Sequence, residues 1–148
     1  MSAFFEATRD DYYRQLYNVS SKGTWHDWFS YFLNGVAVQS LDVLSRAERM
    51  NALITSWQME VSGPSENKAL MIVKHLAVNP FFTTKKIAEN LGVAFTTAQR
   101  AIAKLENLKI ITQLSQQKRD KIYCATKILD ILEEPTKIRE NLDGTLQM

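Results

Sequence analysis

Arginine, glutamine and threonine along one side of a helix are the side chains that read DNA base edges. Such a set occurs at Thr96, Thr97, Gln99, Arg100 and Lys104. An arginine there can donate two parallel hydrogen bonds to guanine O6 and N7, and a glutamine can pair with adenine in the same bidentate way. Threonine hydroxyls suit a phosphate or a base edge, and lysines neutralise phosphate charge. Lys104, Lys85 and Lys86 are candidate phosphate contacts on that basis, and so are Lys118, Arg119 and Lys121 further along the chain. Phe95 precedes this set. It could touch thymine methyl groups, or it could mark a face that docks protein; both readings stay open.

Other chemistry finds little support. His26 and His75 stand alone, with no second His, Cys or carboxylate at metal-ligand spacing, so no metal is expected. Cys124 is the single cysteine and lies in a β-like run, where an inert buried thiol is expected. The five glycines are scattered and form no phosphate-binding loop. No constellation for nucleophilic or acid–base catalysis is present, so neither an enzymatic activity nor a cofactor is expected. One cysteine and the absence of a basic start followed by an apolar run point to a cytoplasmic protein without a membrane span.

Charge is unevenly placed. Residues 63–125 hold ten Lys and Arg against four Asp and Glu, whereas residues 1–62 hold five against seven and residues 126–148 three against five. A polyanion partner would need such a concentration.

The elements that must hold the candidate residues can be traced from the pattern. Ser65 can cap a helix with Ala69, Leu70, Val73, Leu76 and Ala77 on one face, stopped by Asn79-Pro80. Thr83 or Thr84 caps a short helix carrying Ile87, Ala88 and Leu91, and Gly92 turns the chain sharply. A third helix, from about Phe95 to Leu108, turns Ala98, Ala101, Ile102 and Leu105 inward. Two β-like runs, 110–114 and 121–125, flank a polar and basic tip at 115–120. Three helices followed by a hairpin is the order of a winged helix-turn-helix, with a two-stranded wing. A last helix, about Thr126 to Leu142, should be broken or kinked at Pro135.

Residues 1–62 read differently. A helix with a capping-box-like start at Thr8 should run to Gly23. A long helix follows from Thr24, with Trp25, Trp28, Phe29, Phe32, Leu33 and Val36 on a broad apolar face. Such a helix needs a partner along its length, and self-association into a homodimer through residues 24–60 is expected. Ser62-Gly63-Pro64 marks the domain boundary, between a helical dimerisation or docking segment at 1–62 and the winged helix with its C-terminal helix at 63–148. The fold expected is therefore mainly α.

The chain also resembles the C-terminal region of Fic-family proteins, which transfer AMP to protein hydroxyls. Arg9-Asp10-Asp11-Tyr12-Tyr13-Arg14-Gln15-Leu16-Tyr17, Gly23-Thr24-Trp25-His26-Asp27-Trp28 and Phe29-Ser30-Tyr31-Phe32-Leu33-Asn34-Gly35-Val36-Ala37 look like the end of the Fic core. Asn79-Pro80, Ile87-Ala88, Leu91-Gly92-Val93, Thr97-Ala98 and Arg119-x-Lys121-Ile122-Tyr123 are similar to the winged helix that many bacterial members append. The resemblance covers about residues 4–132. It implies a DNA-binding regulatory module acting in transcription, or alternatively a protein-interaction module or the non-catalytic tail of a Fic enzyme. The family's His-Pro-Phe and Gly-Asn-Gly loop should precede Tyr12-Tyr13 and is not found, so no AMP transfer is expected of this chain, and a Fic core becomes a partner only within a longer polypeptide. Three positions depart from the family pattern. Ala94 stands where Ser or Thr usually caps the third helix, Phe95 opens that helix, and Lys109 replaces the glycine that usually ends it.

Overall fold

The computed structural model describes residues 2–63, 68–115 and 121–135. They are mainly helical, with one small antiparallel sheet. Two compact units emerge: one runs to Arg46 and takes in Glu134, and the other is Ala47–Glu133. No helix among the described residues is long and apolar enough to cross a membrane.

The first unit contains α1 (Ser2–Ala7), α2 (Arg9–Lys22) and the beginning of α3 (Trp25–Val61). Thr8 does not cap α2 as its spacing predicts. Its Oγ1 instead donates to the Phe4 carbonyl at 2.8 Å and lies 2.6 Å from the Tyr31 hydroxyl. The helix before it, α1, leaves the threonine in mid-path rather than at a free start. Asp10 and Asp11 in the first turn of α2 complement its dipole. Gly23 ends α2 at φ 68°, its amide bonded to the Val19 carbonyl at 3.0 Å. Phe4 is buried directly over Gly35, where an added Cβ would stand 2.6 Å from the ring. Phe4 and Tyr31 pack with ring centroids 5.4 Å apart, and Tyr12 and Trp28 do so at 5.8 Å.

α3 is continuous over 37 residues, and the division between the units falls inside it. This differs from the boundary that Gly63 and Pro64 signal, which lies just past the helix end. The physical reason is burial. Ile54, Trp57 and Val61 belong to the core of the second unit, with Met50 and Leu53 packed beside them.

That second unit adds α4 (Lys68–Leu76), α5 (Thr84–Leu91), α6 (Phe95–Asn107), α7 (Thr126–Glu133) and three strands, β1 (Phe81–Thr83), β2 (Thr112–Gln113) and β3 (Ile122–Cys124). Ile72, Leu76, Ile87, Ile102, Leu105 and Ile128 are its largest fully buried side chains. The strand order is β1-β3-β2, antiparallel throughout. β1 is absent from the sequence pattern, because three residues after Pro80 carry no alternation of their own; it exists by pairing Phe82 with Tyr123 across forty intervening residues. The two expected strands form in shortened versions. Ile110 and Ile111, the head of the first β-like run, go into the core instead. α7 ends two residues before Pro135, as a following proline favours. Residues 116–120 of the expected basic tip, Ser65 and the rest of the expected last helix lie outside the described residues.

Candidate nucleic-acid interface

α5 and α6 are joined by a turn that the sequence builds locally. Gly92 takes φ 61°, its amide bonds the Glu89 carbonyl at 3.2 Å, and the Val93 amide bonds the Ala88 carbonyl at 3.0 Å. These two bonds are the paired closure of a Schellman motif, which needs a left-handed residue at its centre. Thr83 caps the other end of α5, its hydroxyl accepting from the Lys86 amide at 3.3 Å.

α6 turns Ala98, Ala101, Ile102 and Leu105 into the core, as its spacing predicts. Its opposite side is open. Thr96, Gln99, Arg100, Ala103 and Asn107 are all exposed and fall within an arc of about 100° at 3.6 residues per turn. Thr97 and Lys104 are exposed at one edge of this arc. Lys85 and Lys86 are exposed in the first turn of α5, and Lys121 is half-buried just before β3. Among the described residues Arg100, Lys85 and Lys86 form no ion pair. Two lysines at a helix N-terminus oppose the helix dipole, an arrangement that an anion bound there would offset. Lys118 and Arg119 lie outside the described residues.

Lys104 has a different occupation from the one its spacing implies. Its Nζ donates to the Val61 carbonyl at 3.0 Å, at the last turn of α3. A lysine there satisfies a terminal carbonyl and complements the negative helix end. Sequence reasoning could not find this contact, because its partner is 43 residues away.

The departures at both ends of α6 are visible in its geometry. Ala94 has the extended backbone of an N-cap, φ −62° and ψ 146°, with no side-chain acceptor for the first amides. Lys109 sits at φ 55°, the single non-glycine residue with positive φ among the described residues. Its amide bonds the Glu106 carbonyl at 2.9 Å, and the Ile110 amide bonds the Leu105 carbonyl at 3.0 Å. α6 therefore ends in the same motif as α5, with a lysine in the glycine position. Phe95 stands 51% exposed at the head of the helix.

The sheet behind these helices is chemically quiet. Cys124 is fully buried; burial first, then Asp130 and Glu133, pushes its thiol up, away from the reactive thiolate. Burial, with Glu106 adding, also raises the Tyr123 phenol, while a hydrogen bond with Thr84 pulls the other way. Among the described residues no group of three or more His, Cys, Asp or Glu is placed to hold a metal ion. No protein-family model matches the chain, and no curated protein matches it.

Proposed function

We propose that residues 63–148 are a winged helix-turn-helix that binds double-stranded DNA, as a regulatory module acting in transcription. The observation that carries this reading is the open face of α6, where Arg100, Gln99 and Thr96 stand together on a helix whose other side is buried. An exposed helix can enter the major groove, where such side chains reach base edges. Lys85, Lys86 and Lys121 supply phosphate contacts, and Lys118 and Arg119, which fall between β2 and β3 in the sequence, are candidates for more. Lys104 serves α3 first, so it is the weakest of the proposed contacts. The resemblance of residues 9–37 to the end of a Fic core supports placing this module in a Fic-related protein of the cytoplasm.

Selection from a pool of random duplexes, followed by fluorescence anisotropy on the enriched sequence, tests the proposal. Binding should weaken steeply between about 50 and about 200 mM salt. Arg100→Ala should cost about 1–3 kcal/mol on the selected site and much less on random duplex. Binding by an Arg100→Ala/Gln99→Ala double variant equal to that of the unaltered protein would sink the idea. One observation favours a second reading: exposed Phe95 gives the head of α6 an apolar contact suited to protein. In that case the selection enriches no sequence.

A further inference from the structure

The first part of α3 carries an apolar stripe that no described residue of its own unit covers. Trp25, Phe29, Leu33, Val36, Val43 and Leu44 are all exposed. At 3.6 residues per turn they fall within an arc of about 100° and run for roughly 29 Å along the helix. Tyr31 and Gly35, on the other side, pack with Phe4. The same three-and-four spacing continues at Met50, Ile54, Trp57 and Val61, where the core of the second unit uses it. The stripe thus has the pattern of a packing seam, and only its later part is filled.

We propose that a second copy of this chain covers the stripe, through an isologous pairing of α3 over residues 25–44. Charge and area point to that occupant. The only Asp, Glu, Lys or Arg residues between 25 and 44 are Asp27 and Asp42, and both fall on the opposite side of the helix. A face without Asp, Glu, Lys or Arg brought against itself buries no unpaired carboxylate, ammonium or guanidinium group, and it offers none by which to select a different partner. Six side chains left about half exposed present on the order of 600 Å² per copy, close to the ~800 Å² per partner of a standard interface and at the upper end of the patch a monomer ordinarily shows. Two-fold pairing is also the commonest closed arrangement for identical chains. The proposal narrows the dimer expected along residues 24–60. Ile54 and Trp57 are consumed by the core, so only the earlier stretch is available. It stands independently of DNA binding.

Sedimentation velocity on the full chain, across a concentration series, tests it. The unaltered protein should move from 17.0 kDa toward twice that mass as concentration rises. Val36 lies near the middle of the stripe, where a two-fold axis brings it close to its own copy. Val36→Glu and Val36→Lys should each remain monomeric with unchanged circular dichroism, and mixing the two should restore the dimer. An unaltered protein that stays monomeric to several hundred micromolar overturns the proposal and leaves the stripe to a different partner. So does a dimer that both variants retain, or variants that stay monomeric when mixed.

Discussion

Lys109 holds a backbone conformation that costs an L-residue about 1–2 kcal/mol, and glycine almost nothing. Lys109→Gly should raise stability by on the order of 1 kcal/mol, after the extra freedom of glycine in the unfolded chain is subtracted. Urea unfolding measures it; an unchanged or lowered midpoint would mean that the lysine side chain offsets the strain. At the other end of α6, the Ala94 backbone already has N-cap geometry and lacks only an acceptor. Ala94→Ser should add about 0.5–2 kcal/mol in the same assay. Tyr123 gives a pH dependence. Its folded phenol is raised above 10.0, so its contribution to stability is full below that pH and is lost as pH rises through the folded value. Tyr123→Phe should flatten the alkaline limb of stability against pH, and an identical limb in both proteins would assign it elsewhere.

At the scale of elements, the proposed interface would draw on both α5 and α6. If Lys85 and Lys86 meet phosphates, replacing both by alanine should lower the slope of log affinity against log salt by about 2, with sequence preference intact. A slope that does not change would remove α5 from the interface. How far these elements could be read beforehand depends on where their determinants lie. α5, its turn at Gly92 and the inward face of α6 were legible, because capping, a left-handed glycine and a 3.6-residue period are all local. The missing glycine at Lys109 was legible only by contrast with the family pattern that the chain resembles. β1 was not, since Phe81–Thr83 becomes a strand only through β3. Nor was the occupation of Lys104, whose acceptor is contributed by α3. Thr8 misled for the opposite reason: its local pattern is that of a cap, and a helix upstream redirects its hydroxyl.

On the scale of the whole molecule, the most consequential fact is that the second unit begins inside a helix. Gly63 and Pro64 punctuate the sequence, yet Ile54, Trp57 and Val61 lie on the far side of that punctuation and inside the core. A chain starting at residue 64 should therefore melt without cooperativity or remain unfolded. One starting at residue 47 should show a single cooperative transition by circular dichroism. Equal melting of the two would show that the α3 segment is dispensable. The burial of Trp57 also has an optical consequence. It is the only tryptophan of the second unit and is 3% exposed, whereas Trp25 is 57% exposed and Trp28 intermediate. With Trp25 and Trp28 replaced by phenylalanine, emission would come from one indole in an apolar site. Its shift to longer wavelength would then time the opening of the basic unit alone, within the intact chain and in the presence of duplex.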